Sequence, residues 1–410
     1  MGALPAGPAR TALLIGIATA LLVFQVYVAM SFGLILKPMS ADLGMSAATA
    51  SAVSAIFMLA GFLLQLPAGI AVDRYRPGRV LALATLVCVA GILLLAVAPS
   101  APLAFAGRLV MGFGSAFAFV GALKIVGLVV PPARFGLWVG IWQVLYSLAV
   151  AALAYATNAL DAEQAWRVLM YIMAAAGIGV AALLWLADAW LPPPDGADNA
   201  AGRALWQRVR ETAVNREILL AAILFALTFG PVLAYSDLWA VPNQLAFGNS
   251  AAMAAGIAGM IPIGVGVGSL AVGWLADRTG RPAGIGAATA AVGLAAILAL
   301  VFLPPLPGWG AAALTFLLGV GSAASVTALA YARRFAGPAQ VGTAIGLLSA
   351  AGNLGGGLLQ VEIGALLDLR HAGGTAEIGG FEASLSPLLF CFALAIALFA
   401  VLRPEARPSR

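Results

Sequence analysis

Four ionisable side chains lie inside apolar runs where hydrocarbon should exclude them. Arg108 and Lys124 share one long run, Asp237 lies near the far end of a second, and Glu362 lies in a third. A charge within lipid is costly unless it faces a partner or a water-filled cavity, so each is a candidate for binding a solute or carrying a proton. Arg108 and Lys124 are sixteen residues apart, about 24 Å of helix, and flank the midpoint of their run. A lysine facing a cavity would attract an anionic group such as a carboxylate; the competing reading has it snorkel to the headgroups. Asp237 and Glu362 are candidate proton carriers, with solvation or outer-gate pairing as the alternative.

Uncharged polar residues add to this set. Gln25 and Ser31 lie in the first apolar run. Trp138, Trp142 and Tyr146 recur every four residues with Gln143 beside them, and Ser349, Asn353 and Gln360 accompany a glycine-rich stretch. An aromatic stripe at this spacing also suits packing or lipid contact, whereas a bare amide facing lipid is unfavourable. The substrate-binding candidates are therefore Lys124, Gln25, Trp142, Gln143, Tyr146, Asn353 and Gln360.

Other chemistries are poorly represented. The single histidine, His371, stands among Gly373 and Gly374 and cannot form a metal site alone. There is no nucleotide loop, metal-ligand cluster or nucleophile–histidine pair, so no enzyme, catalytic residue, metal or cofactor is expected. Cys88 and Cys391 both fall in apolar runs and read as small buried hydrophobes.

The elements that must position these residues follow from composition. Of 410 residues 63% are hydrophobic and 9% charged, with a mean hydropathy of +1.03. Soluble domains carry about 25% charged residues. A helical span needs about 20 apolar residues. That ruler gives twelve candidates: 11–36, 47–71, 80–98, 102–130, 135–157, 167–190, 217–240, 250–276, 283–303, 308–332, 340–367 and 384–402. Continuous runs imply helices rather than barrel strands.

Charge then sets the orientation. With the N-terminus inside, only Lys37, Arg167 and Arg370 of the 21 Lys and Arg residues fall outside, Arg108 and Lys124 lie within a span, and the rest are cytoplasmic. This is the positive-inside pattern. It accounts for the net charge of +5 without a nucleic-acid partner. The expectation is a multi-pass protein of the plasma (inner) membrane with both termini cytoplasmic and the lipid bilayer as its surroundings.

The stretch LPPPDGADNAAGRALWQRVRETAVNRE, beginning at Leu191, divides the spans six and six. Its Pro, Gly and Asp mark a flexible start, and Ala204 onward suits an amphipathic surface helix. Residues 1–190 and 217–410 are expected as two six-helix bundles joined by a cytoplasmic linker at 191–216. Each half carries one charged inner turn, AVDRYRPGRV around Asp73 and WLADRTGRP around Asp277, 204 positions apart. Repetition at half length is a common plan in transporters.

The second turn resembles the signature loop of the major facilitator superfamily, roughly G-x-x-x-D-R-x-G-R, and AGRLVMGFGSAFAF (106–119) resembles its fourth-helix motif. In the first copy Arg76 stands where the signature has glycine. The resemblance implies an all-α membrane protein of twelve transmembrane helices in two pseudo-symmetric halves, with helices one, four, seven and ten lining a central cavity. It implies gating roles for Asp73, Arg74, Arg79, Asp277, Arg278 and Arg281, with positive-inside anchoring as the alternative. It also implies proton coupling through Arg108, against a structural hydrogen-bonding role. Span five has no Gly-Pro of the drug-antiporter pattern, and LPPPDGAD is not the sugar-porter Pro-Glu-Ser. The expected function is secondary transport of a small organic anion, a carboxylate or amino-acid-like metabolite, by rocker-switch alternating access with proton coupling, as a monomer. A broad-specificity efflux pump of the same fold is the alternative.

Overall fold

A computed structural model describes residues 7–129, 145, 162–191, 210–212, 214–303, 306–336, 341–372 and 383–402, almost all of them helical. Ten stretches among these are long and apolar enough to cross a membrane, from Ala9–Gly33 to Thr343–Arg370. They coincide with ten of the twelve expected spans. Of the other two, 135–157 lies, apart from residue 145, outside the described residues, and the last contains a shorter apolar helix, Ser386–Phe399.

The helices of the first half are α1 (Pro8–Leu43), α2 (Ala47–Arg74), α3 (Pro77–Ala96), α4 (Ala101–Ser115), α5 (Ala118–Val129) and α6 (Ala162–Ala187), the last closing in a 3-10 turn, Asp188–Trp190. Those of the second half are α7 (Arg216–Ala234), a π turn (Tyr235–Trp239), α8 (Ala240–Ala246), α9 (Ala251–Thr279), α10 (Pro282–Phe302), α11 (Gly308–Ser322), α12 (Ala324–Phe335), α13 (Val341–Ala372) and α14 (Ser386–Phe399). By contacts the chain forms two compact units. One comprises residues 1–45 and 52–201; the other takes in Ser46–Ser51 and 202–410.

Local chemistry explains the helix ends. Asn215 accepts from the amides of Glu217 and Ile218 at the start of α7, and Ser250 accepts from Met253 at the start of α9. Both charged turns end with proline in the first turn of the next helix, Pro77 and Pro282, where its missing N–H leaves no donor unmet. The residues at the signature's glycine place differ. Gly280 is left-handed at φ 61°, the glycine cap of α9, whereas Arg76 is extended at φ −60°, ψ 112°. The first turn therefore has no left-handed position for a glycine to fill.

Within the first unit α3 packs extensively on α4 and on α6. A core of Leu14, Leu21, Leu81, Ile125, Val126 and Leu184 joins α1, α3, α5 and α6. In the second unit α7 packs on α13, and α9 on α11.

Candidate functional site

The fourth and tenth spans are each broken in the middle. In the first unit α4 ends at Ser115 and α5 begins at Ala118; in the second α11 ends at Ser322 and α12 begins at Ala324. The breaks fall on a repeat, GFGSA at 112–116 and GVGSA at 319–323, 207 positions apart. Its second glycine is where each span meets its neighbour. A Cβ at Gly114 would collide with the backbone of Ala84 and Cys88 on α3, and one at Gly321 with the backbone of Gly293 on α10. Small residues permit this approach between helices in lipid.

The repeat sets a register between the halves. Arg108 corresponds to Thr315 and Lys124 to Tyr331, each 207 positions on. Both intramembrane cations are thus on span four, and span ten carries hydroxyls at the matching places. Arg108 is almost completely buried. Its guanidinium lies 4.5 Å from the Phe32 ring centre and 4.3 Å from that of Phe57, and Nη1 donates to the Val28 carbonyl at 3.3 Å. Stacking on aromatic faces suits arginine, whose weak hydration lowers the cost of burial. Thr315, also buried, donates to Ile257 at 2.9 Å.

Lys124 is half-buried on α5, beyond the break from Arg108. Its counterpart Tyr331 is buried and donates to the carboxylate of Glu217 at 2.6 Å, linking α12 to the start of α7.

The remaining candidates are spread over several elements. Gln25 lines a small cavity in the first unit with Phe24, Thr85, Cys88 and Phe117. Asn353 is half-buried on α13. Gln360 is wholly buried, and neither of its amide atoms has a hydrogen-bond partner among the described residues. Asp237 is half-buried in the π turn of span seven, and Glu362 is exposed on α13. A π turn adds a residue to the helix and often marks a functional position. Trp138, Trp142, Gln143 and Tyr146 lie outside the described residues.

The charged turns are not alike in their partners. Asp73 falls in the last turns of α2 and Asp277 in those of α9. In the first turn Arg76 Nε lies 2.8 Å and Arg79 Nε 3.2 Å from Asp188 Oδ2, at the end of α6. Arg76 also donates to the Asp188 carbonyl at 3.1 Å. In the second turn Arg278 and Arg281 are exposed, and the Arg278 guanidinium stands 5.1 Å from the Trp274 ring centre. At the other end of α6, Arg167 pairs with Asp42 at 2.7 Å and caps the carbonyls of Ala96 and Ala98 at 2.7 and 3.0 Å. Spans three and six are thus tied at both ends.

Residues 14–360 match the family model of the Major Facilitator Superfamily. The chain belongs to that superfamily. As a major facilitator it is a multi-pass membrane transporter. It is similar in structure to a bacterial homolog of the human lysosomal transporter Spinster, solved inward-facing and unoccupied, with a TM-score of 0.74 at 16% identity over 100% of both chains. The nucleoside transporter NupG, as its D323A mutant, aligns with a TM-score of 0.68 at 16% identity over 96% of this chain and 99% of that one. At these identities the likeness is one of fold. In sequence the chain is 30% identical over 154 residues to the efflux pump hmp6 of Hypomyces subiculosus, covering 37% of this chain and 27% of that pump.

For this major facilitator, sequence reasoning missed Asp188, Glu217 and Tyr331 as site-forming residues. Asp188 and Glu217 sit at the edges of apolar runs, where an acid reads as solvated. The duplicated G-x-G-S-A was the available signal for Tyr331, since it aligns that residue with Lys124.

Proposed function

We propose that this major facilitator carries a small organic anion, a carboxylate or amino-acid-like metabolite, by rocker-switch alternating access with coupled protons. The supporting observation is the confinement of both intramembrane cations to span four, with Thr315 and Tyr331 at the matching positions of span ten. Lys124, half-buried on α5 beyond the break, is the cation we assign to the anionic substrate. Gln25, Trp142, Gln143, Tyr146, Asn353 and Gln360 are its proposed polar and aromatic companions. Arg108, Asp237 and Glu362 are the proposed proton-coupling set, and Asp73, Arg74, Arg79, Asp277, Arg278 and Arg281 the proposed gate. We place the protein as a monomer in the plasma (inner) membrane with both termini cytoplasmic.

Uptake of a radiolabelled carboxylate panel into proteoliposomes, with and without an imposed pH gradient, tests this reading. At least one carboxylate should accumulate, faster with the gradient, and Lys124→Ala should abolish that uptake while the protein stays folded. Uptake indifferent to the gradient removes the coupling, and uptake indifferent to Lys124→Ala removes the anion site. The partial likeness to an efflux pump favours a second reading, export of diverse apolar solutes. Drug hypersensitivity of a deletion strain that grows normally on every carbon source would support it.

A further inference from the structure

Around the end of span six, two arginines converge on one buried carboxylate and a third reaches a neighbouring backbone carbonyl. Asp188 is 3% exposed, while Arg76 and Arg79 are 41% and 53% exposed. Both arginines reach Oδ2 through Nε, the atom closest to the chain. Arg79 is held further by its own amide, which donates to Asp188 Oδ1 at 3.3 Å, and by Trp185, whose ring centre lies 5.4 Å from its guanidinium. From α1, Arg10 donates through Nη2 to the Trp190 carbonyl at 2.6 Å. Carbonyls at a helix C-terminus favour cations, so the end of span six holds all three in place.

This fixes the side chains without using up their donors. The terminal amino groups of Arg79, and Nη1 of Arg76, make no hydrogen bond among the described residues. By sequence the same segments carry four arginines, Arg10, Arg74, Arg76 and Arg79, and two acids, Asp73 and Asp188, so positive charge is in excess. A guanidinium anchored at Nε presents its two terminal nitrogens as a fork, and that fork matches two oxygens of a phosphate. Exposed Tyr75, Trp185 and Trp190 surround the cluster, the amphipathic residues typical of the headgroup level.

We propose that Arg76 and Arg79, oriented by Asp188 and assisted by Arg10, form a binding site for the phosphate of an anionic phospholipid in the inner leaflet. The site rests on the orientation that places this turn at the cytoplasmic face, and not on the identity of the transported solute. Asp188 acts as the positioning residue. The inner leaflet supplies anionic headgroups at the required depth, and basic residues near that surface are attracted to them. Arg76, standing where the superfamily signature has glycine, supplies part of the fork. In the second half Gly280 occupies that place, so the site belongs to the first half alone.

The test compares purified protein in nanodiscs of phosphatidylcholine with nanodiscs in which about a third of the lipid is phosphatidylglycerol, at low salt where headgroup attraction is least screened. Thermal unfolding and lipid retention in native mass spectrometry are the readouts. Wild type should unfold several degrees higher with phosphatidylglycerol and retain it preferentially. Arg79→Lys keeps a cation beside Asp188 but removes the fork, so it should lose most of that preference with little change in pure phosphatidylcholine. Arg10→Gln, remote from the ion pair, should lose a smaller part and serves if the first variant folds poorly. An undiminished preference in both variants overturns the proposal. So does an equal stabilisation by inorganic phosphate in pure phosphatidylcholine, which would make the occupant a soluble anion. Neither readout involves transport, so failure here leaves the transport reading intact.

Discussion

Tyr331 donates its hydroxyl to Glu217 across 2.6 Å, from the position of span ten that Lys124 holds in span four. Two matching places thus carry different solutions. In the second half a carboxylate at the start of span seven is met by a neutral donor. In the first half the matching place on span four carries an amine. A superfamily built from two related bundles can vary such positions independently, because each bundle packs through its own glycine contacts.

Tyr331→Phe removes the donor and leaves the Glu217 carboxylate with one partner fewer in a buried setting. Leaving a buried polar group unmet costs about 1–3 kcal/mol. Thermal unfolding in detergent should show that loss. Combining Tyr331→Phe with Glu217→Ala should cost less than the two single losses together, since both remove the same bond. Full additivity would show that the contact carries no coupling.

Arg108→Lys preserves the charge but not the planar group between Phe32 and Phe57. The two stacking contacts and the bond to Val28 should weaken together. A loss of about 1–2 kcal/mol is expected from the stacking of a desolvated cation. Arg108→Lys with wild-type stability would show that the rings are incidental neighbours.

Gly280→Ala should cost about 1 kcal/mol, because φ 61° is unfavourable for any residue with a Cβ. Arg76→Gly restores the signature in the other copy and should also be destabilising. There the backbone is extended, so glycine adds only chain entropy and removes the bond to Asp188. Stabilisation by Arg76→Gly would show that the Asp188 pair contributes nothing.

Much of this was readable in the sequence. Span positions followed from run length, because lipid demands continuous apolar helices and tolerates few charges. Arg108 and Lys124 stood out for the same reason. The partners of Arg76 and Arg79 were not readable, since pairing with Asp188 depends on how span six packs beside span three, over a hundred residues away. The break in span four was also hidden: neither Ser115 nor Ala116 is a helix breaker, and only comparison with GVGSA marks the place. Gln360 was legible as a polar residue in lipid, but its complete burial reflects the packing of its helix.

The glycines separate by position, and alanine substitution should expose this. In a helix interior, Gly→Ala normally adds up to about 1 kcal/mol through propensity and backbone entropy. Gly273, the motif glycine of the second half, has nothing within 4 Å of where its Cβ would stand, so Gly273→Ala should be neutral or stabilising. Gly321 has the backbone of Gly293 against it, and Gly114 has that of Ala84 and Cys88. Backbone cannot rotate aside as a side chain can, so Gly114→Ala and Gly321→Ala must push spans apart. Overpacking of this kind costs about 1–3 kcal/mol. Both should lower the unfolding temperature, and both should slow transport if the two half-length pieces must keep their contact with α3 and α10 during the cycle. Unfolding curves for the three variants decide the matter: equal stability across them would show that the repeat is not a packing device.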